Sequence, residues 1–161
     1  MITSAKWLRP FPDNHRKRGM NMRATARGLY AVKSMLALAE LTDENAAVSL
    51  HHLAEKEGIS PQFLQQIFYR LRRQGIISAS RGPGGGFRLA RTPEEITIYD
   101  ILAAAGETLE LSPCVPSQKN RKTCPQAKKC KAGMFWAEME DLLIDHAKSV
   151  RLSDLRTKTL P

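Results

Sequence analysis

The chain has 161 residues, a mass of 18.0 kDa, 42% hydrophobic residues and a formal net charge of +9. This length fits one domain, or one small domain with an appendage, and excludes a large multi-domain enzyme. No run approaches the ~18 consecutive apolar residues of a membrane helix, and the N-terminus lacks the apolar core of a signal peptide. Three cysteines are a poor basis for a disulfide framework. We therefore expect a basic cytoplasmic protein with reduced thiols and no membrane partner.

The positive charge is concentrated in three blocks, at residues 1–30, 51–91 and 114–131, and the stretches between them are acidic. Residues 92–113, for example, hold five acidic side chains and no basic one. Such clustering indicates localised anion-binding surfaces, although a solvated basic face would look the same for any single block. The case for nucleic acid therefore depends on the elements that carry the blocks.

The first segment in chain order is a predicted disordered basic tail at residues 1–21. It contains two prolines and a basic run but no apolar period. Met20 and Met22 stand just before the first periodic segment, which is consistent with a tail translated from an upstream start codon.

Three helices follow the tail, the last of which begins with the most specific signals. Ser60 and Pro61 are its predicted N-cap and first-turn proline, and Gly75 ends it. Gly58 makes a tight turn before it. The three predicted helices span about 24–42, 49–57 and 60–74.

Two short strand-like runs come next, at residues 76–79 and 87–89, and a glycine-rich hairpin tip separates them. Thr97 caps a fourth helix that ends at Ala105. A polar, cysteine-bearing loop and a long helix from about Ala132 to Val150 complete the chain. We predict a mostly α fold with a small β-hairpin wing, which is a winged helix-turn-helix followed by a long dimerisation helix. The predicted divisions are 22–106 for the DNA-binding domain, 107–131 for the cysteine loop, and 132–161 for the dimerisation helix and C-terminal tail.

The third predicted helix has the composition of a DNA recognition helix. Its outward face carries amides and arginines without a carboxylate, and these side chains suit adenine edges, guanine edges and phosphates. Arg81 stands at the base of a glycine hairpin slim enough to enter a minor groove. Each feature alone could be an ordinary polar face or turn, but their adjacency in this order predicts a DNA interface. The predicted DNA-binding residues are Gln62, Phe63, Gln65, Gln66, Tyr69, Arg70, Arg72, Arg73, Arg81, Gly82 and Gly84.

The chain also resembles a known family over about residues 22–155. The segments Met22-Arg23-Ala24-Thr25 and Gly58-Ile59-Ser60, and above all Arg81-Gly82-Pro83-Gly84-Gly85-Gly86-Phe87, are similar to the IscR/NsrR type of winged-helix transcription regulators. The resemblance implies a homodimer that binds operator DNA, usually as a repressor, and many members sense iron–sulfur status, nitric oxide or redox state. It also implies that Gln62, Gln65 and Gln66 read bases and that Arg81 belongs to the wing.

Cys114, Cys124 and Cys130 share one short loop, and their spacing is neither that of a zinc ribbon nor that of a bacterial ferredoxin. From spacing alone they could be three free thiols, but the surrounding lysines and Arg121 favour the thiolate form that metals require. The resemblance implies three ligands of an iron–sulfur cluster, of the 2Fe-2S or 4Fe-4S type.

The fourth ligand of such a cluster is not evident. The family's histidine three residues after the third cysteine is replaced by Gly133, the first gap between cysteines is longer than usual, and Arg23–Tyr30 contains no acid. Glu107, Glu110, a histidine, water or a small exogenous ligand remain open.

The long helix carries one apolar stripe. The stripe could pack on its own domain, but a helix of this length with a single stripe normally seeks a partner. We predict a homodimer whose interface contains Trp136, Met139, Leu142, Leu143, His146 and Val150.

The sequence thus predicts a dimeric, sequence-specific regulator whose operator affinity is controlled by an iron–sulfur cluster. One alternative keeps the DNA binding and replaces the cluster with thiol oxidation, zinc or a protein partner. Another is a structural nucleic-acid binder without sequence preference. No nucleophile–base pair or carboxylate pair is visible, so we expect neither an enzyme nor a small-molecule substrate.

Overall fold

The computed structural model describes residues 25–42, 47–111 and 130–157. The predicted tail and most of the cysteine loop, including Cys114 and Cys124, lie outside these residues. The helices are α1 (Ala26–Leu41), α2 (Leu50–Glu57), α3 (Pro61–Arg73), α4 (Ile98–Ala105), α5 (Lys131–Ser149) and α6 (Leu152–Thr157), and the strands are β1 (Ile77–Ser80) and β2 (Gly86–Leu89).

The first three helices begin and end where local chemistry requires. Thr25, Ser49 and Ser60 each use the side-chain oxygen to accept a backbone N–H in the first turn of α1, α2 and α3. The α2–α3 connection turns at Gly58, which has a left-handed backbone conformation with φ of 64°. The result is the helix-turn-helix that the sequence predicts.

The two strands form an antiparallel hairpin with Ile77 opposite Leu89 and Ser80 opposite Gly86. A third piece of extended chain, which we did not predict, joins the hairpin at Val48. Its N–H and C=O both bond to the backbone of Phe87 at 2.8 Å. Gly86 must lack a side chain there, because a Cβ would lie 2.4 Å from the Val48 carbonyl oxygen. The wing is therefore fixed to the segment that leads into α2.

The helix α4 packs between α5 on one side and α1 and α3 on the other. Thr97 and Asp100 form a reciprocal capping box at its start. After α5 the chain returns to the start of α4. There the Ile98 N–H donates to Val150 O, and the Leu152 N–H donates to Ile96 O. The short helix α6, which we did not predict, buries Leu152 completely against this domain.

A single core joins α1, α2, α3, the base of the wing and α4. Its largest fully buried side chains include Phe68, Met35, Leu38, Leu53 and Leu64. The apolar stripe of α3, which is Leu64, Ile67 and Leu71, is buried in full. The mostly helical fold with a two-stranded wing is therefore confirmed. No helix in the part of the chain that the structure describes is long and apolar enough to span a bilayer.

Candidate DNA interface and cysteine segment

The outward face of α3 is a continuous polar surface. Gln62, Gln65, Gln66 and Tyr69 are exposed there, and they line one shallow concavity together with Arg70 and Arg73. The Arg73 guanidinium lies 5.8 Å from the Tyr69 ring centroid, a cation–π contact that orients it along this face. Because α3 contains no acidic residue, nothing on the helix opposes the approach of a phosphate backbone.

Two residues predicted to bind DNA lie at the margin of this surface. Phe63 is only half-exposed and packs edge-on against Tyr30, with ring centroids 6.0 Å apart, so its ring fixes α3 to α1. Arg72 is exposed on the other flank of α3, outside the concavity. The remaining predicted residues of α3 share a single face.

The wing tip is the five-residue loop that begins at Arg81 and ends at Gly85. Arg81, Gly82, Pro83 and Gly84 are all exposed, and Gly85 N–H closes the loop by donating to Gly82 O at 2.8 Å. A side chain on Gly85 would place its Cβ 2.6 Å from the Ser80 carbonyl oxygen, so the tip stays slim. Arg81 is thus the single basic side chain on a narrow projection, which suits a minor groove.

Arg70 has a second neighbour that the sequence did not indicate. Its Nη1 lies 2.9 Å from the position that a Cβ on Gly106 would occupy, and Arg27 Nη1 lies 3.9 Å from the same point. Gly106 is the C-cap of α4 and has a φ of 83°. The recognition helix therefore contacts the residue at which the chain leaves α4 for the cysteine loop.

Cys130 is the one predicted metal ligand that the structure describes. It is half-buried at the N-cap of α5, and its Sγ accepts the Gly133 N–H at 3.3 Å. Among the described residues it has no disulfide partner. An ideal Cβ on Gly133 lies 3.7 Å from the same sulfur, so position 133 faces Cys130 across the first helical turn.

Within residues 25–42, 47–111 and 130–157, no group of three or more His, Cys, Asp or Glu side chains could hold a metal ion. The candidates for a fourth ligand can still be narrowed by distance along α5. His146 is 16 residues from Cys130, which is about 24 Å at the helical rise, so both cannot contact one small cluster within a protomer.

Glu107 and Glu110, which were both predicted as candidate acids, have different surroundings. Glu107 is half-buried and accepts a hydrogen bond from the Thr25 hydroxyl at the N-terminus of α1. Glu110 is exposed. The α1 contact of Glu107 could not have been inferred from spacing, because the two residues are 82 positions apart.

Glu140 is a functional candidate that sequence analysis missed. It is only 7% exposed on the inner side of α5, and its Oε2 accepts the Leu111 N–H at 3.3 Å. Burial raises the pKa of the Glu140 carboxyl above its usual value of 4.5. The Leu111 hydrogen bond opposes that shift, and the negative charges of Glu110 and Asp141 add to it. The sequence gives no signal for this role, because Glu138, Glu140 and Asp141 are acidic positions of the same helix and only the fold shows that Glu140 alone of the three is buried.

Among the predicted interface residues of α5, Trp136 and Leu143 lie one helical turn from Glu140, on the flank of the buried side, and Leu142 lies on the opposite side. Leu142 is 65% exposed and Leu143 39%, His146 is exposed, and Met139 and Trp136 are half-buried. Phe135 is 53% exposed beside Trp136 and extends the same apolar surface. Val150 caps α5, and its carbonyl is bound to Ile98 of the same protomer.

Solved structures share this architecture. The chain superposes on IscR of T. potens with a TM-score of 0.64 at 24% identity, covering 88% of this chain and 96% of that one. It superposes on the oxidised form of Staphylococcus aureus CymR with a TM-score of 0.65 at 28% identity, covering 87% and 100%.

Sequence similarity points to the same group of proteins. The HTH-type transcriptional regulator IscR of Escherichia coli O1:K1 is 34% identical over 134 residues, which are 83% of this chain and 80% of that protein. The family model Rrf2, described as an iron-dependent transcriptional regulator, matches residues 24–158. These relatives are regulators and not enzymes. The chain therefore belongs to the Rrf2 family of transcriptional regulators.

Proposed function

We propose that the protein is a homodimeric repressor that binds a specific operator and whose affinity is set by an iron–sulfur cluster on the cysteine loop. The observation that carries the operator binding is the acid-free face of α3 beside the exposed wing. In this proposal residues 22–106 bind the operator, residues 107–131 sense the signal, and residues 132–161 form the dimer interface and the C-terminal tail.

Each part of the DNA interface has a separate role in this proposal. Gln62, Gln65 and Gln66 occupy the N-terminal half of α3, the half that usually reaches base edges in the major groove. Tyr69 and the arginines at positions 70, 72 and 73 occupy the C-terminal half and contact phosphates, which fixes the position of the helix. Arg81, Gly82 and Gly84 follow the minor groove. A homodimer repeats these contacts at a second half-site.

The donor chemistry of the cysteine loop fits an iron–sulfur cluster. Cys114, Cys124 and Cys130 supply three sulfurs, and Cys130 holds its sulfur at a helix N-terminus, accessible and hydrogen-bonded to a backbone N–H. When bound, the cluster supplies redox- and gas-sensitive iron. The chain contributes three cysteine sulfurs as ligands. The fourth ligand would not be a thiolate, which would leave one iron accessible to oxygen or nitric oxide.

Thiol oxidation is the second candidate for control, with the operator binding unchanged. Its support is that a relative of the same fold, S. aureus CymR, has been crystallised in an oxidised form. In that case the three cysteines would act as thiols, and no iron would be required. Zinc or a protein partner would also leave the DNA interface as described.

Anaerobic purification, followed by an absorption spectrum and by iron and sulfide assays, tests the cluster. We expect visible absorption, and we expect its loss in Cys114→Ala, Cys124→Ala and Cys130→Ala. Operator affinity measured by fluorescence anisotropy should differ between the loaded and metal-free protein. A colourless anaerobic protein whose affinity responds to a mild thiol oxidant would support the second candidate instead. Equal affinity for operator and random DNA would exclude both in favour of a non-specific binder.

A further inference from the structure

Residues 107–111, which we call the strap, connect α4 to the cysteine loop. They have no regular secondary structure, and two carboxylates hold their ends. Glu107 at the first position contacts α1, and Leu111 at the last contacts α5 through Glu140. The next cysteine in the chain, Cys114, follows Leu111 by three residues. The strap is therefore the segment through which the N-terminal side of the cysteine loop joins the rest of the chain.

The first contact of the strap is made to the start of the DNA-binding domain. The Thr25 hydroxyl donates to Glu107 and at the same time accepts the Gly28 N–H at 3.4 Å. The Glu107 charge is thus placed at the positive end of the α1 dipole. Gly28 makes room for it, because a Cβ there would lie 2.8 Å from Glu107 Cγ. The hydrogen bond from Thr25 and the space left by Gly28 both favour this position of Glu107.

The second contact of the strap is made to α5. Glu140 is almost fully buried, and its carboxylate accepts a hydrogen bond from the backbone N–H of Leu111. A carboxylate is costly to bury and is stabilised by such a donor, so separating Leu111 from Glu140 leaves a poorly solvated charge. This end of the strap therefore resists displacement.

The recognition helix contacts the same segment. Gly106 immediately precedes the strap, and Arg70 Nη1 lies 2.9 Å from the position that a Cβ on Gly106 would occupy. The strap and Gly106 thus contact three elements at once, namely α1, α3 and α5.

We infer that the strap is the link through which the state of the cysteine loop reaches the operator-reading helix, with Glu107 and Glu140 as its positioning residues. The inference rests on the proposed function only in taking the loop as the sensor, and it holds for either a cluster or thiol oxidation. Movement of the loop withdraws Leu111 from Glu140 and Glu107 from Thr25, which loosens the first turn of α1 and shifts Gly106 against Arg70.

Hydrogen exchange on the full-length, reduced, metal-free protein tests the link without any cluster. In Glu140→Ala, a change on α5, the amides of Gly28 and Leu29 on α1 should exchange faster by on the order of fivefold, the factor expected for a lost helix cap. Glu107→Ala should give the same increase. Glu140→Gln, which keeps an acceptor oxygen for Leu111, should exchange at the wild-type rate.

Two controls separate the link from general loss of stability. Glu110→Ala removes a carboxylate from the strap without removing a hydrogen bond to α1 or α5, and it should leave the exchange rates of Gly28 and Leu29 unchanged. The amides of Leu64 and Ile67 in the core should not exchange faster in either alanine variant. Unchanged exchange at Gly28 and Leu29 in Glu140→Ala would overturn the inference, as would a rise shared by the core amides.

A second measurement tests the effect on DNA. The cysteines are alkylated with iodoacetamide to alter the loop, and operator affinity is compared before and after alkylation. The ratio of the two affinities should differ from one in the wild type and return towards one in Glu107→Ala. An unaltered ratio in Glu107→Ala would overturn the link. If alkylation does not change the operator affinity of the wild type, and the cluster-loaded and metal-free proteins bind the operator equally well, the proposed sensing is wrong. The hydrogen-exchange experiment would still decide whether the strap couples α5 to α1.

Discussion

Gln66 lies in the N-terminal, amide-rich half of α3. Its exposed side chain lines the shallow concavity and points away from the buried stripe of the same helix. An amide at such a position pairs with an adenine edge through two hydrogen bonds. Gln66→Ala should therefore weaken binding to the cognate operator by about 1–3 kcal/mol and relax specificity at one base pair. Fluorescence anisotropy at fixed salt measures both.

Gln74 provides the matched control for this prediction. It is also an exposed glutamine, but it caps the C-terminal end of α3 outside the concavity. Gln74→Ala should leave the affinity and the specificity ratio unchanged. Equal losses in the two variants would show that the amide face does not read bases.

The exposed face of α3 could be predicted from sequence because helical periodicity alone separates it from the core stripe. The surroundings of Arg70 and Phe63 could not. Arg70 packs against Gly106, and Phe63 packs against Tyr30, and both contacts depend on how distant segments meet in the fold. Glu140 was missed for a similar reason, since a lone carboxylate on a helix reads as solvent-exposed until the element that covers it is known.

Gly133 offers a direct test of the fourth ligand position of the proposed cluster. A Cβ there meets only Cys130 among the described residues, at 3.6 Å from Cβ and 3.7 Å from Sγ. Gly133→His should therefore fold and place an imidazole beside the sulfur, where it can complete the ligand set. Visible absorption of the anaerobically purified variant should bleach more slowly in air than that of the wild type.

Gly133→Ala controls for the added helix propensity and filled space. It brings no ligand, so its bleaching rate should match that of the wild type. Identical rates in the alanine and histidine variants would mean that position 133 does not reach the metal.

At the scale of elements, the helices whose ends carry specific signals were predicted closely. Thr97 with its capping box, and Ser60 with Pro61, are local signatures that need no tertiary contact. The segments that were missed have no such signature. Val48 pairs with Phe87 through one bridge, and α6 is a six-residue helix held by the burial of Leu152. Both depend on partners far away in sequence.

The contact between α5 and the strap has a pH dependence that follows from Glu140. Because burial raises its pKa in the folded protein, the carboxyl binds a proton more tightly when folded than when unfolded. This contribution to stability is fully present below the unfolded pKa, near 4.5, and is lost as the pH rises through the folded pKa. The charged form of Glu140 is thus unfavourable at neutral pH.

Glu140→Gln should therefore be more stable than the wild type at neutral pH, with an advantage that disappears as the pH falls below the usual carboxyl pKa. The amide oxygen remains available to Leu111. Urea unfolding at fixed protein concentration across this pH range measures the difference. Glu138→Gln, an exposed site on the same helix, should show no comparable trend. A glutamine variant less stable than the wild type at neutral pH would contradict the prediction.

At the scale of the molecule, α5 carries an exposed apolar surface that nothing else in the described part of the chain covers. The apolar side chains of α5 that face away from its own domain lie close together, with Phe135 53% and Leu142 65% exposed. Exposed apolar patches of this kind mark protein–protein interfaces, and a two-fold axis would match the symmetry of a palindromic site. Trp136, Met139, Leu143 and His146 stay predictions of this interface. Val150 is the least supported, since its backbone binds α4 of the same protomer.

Leu142→Glu tests the dimer at its most exposed apolar residue. In an isologous interface the substitution buries two like charges near the axis, and burying an unpaired carboxylate costs several kcal/mol. The variant should sediment as a monomer at micromolar concentration and bind the operator far more weakly, because each copy then holds a single half-site. Leu142→Met, which keeps an apolar side chain of similar volume, should stay dimeric with wild-type affinity. If Leu142→Glu still sediments as a dimer with unchanged operator affinity, the two copies must meet through another surface.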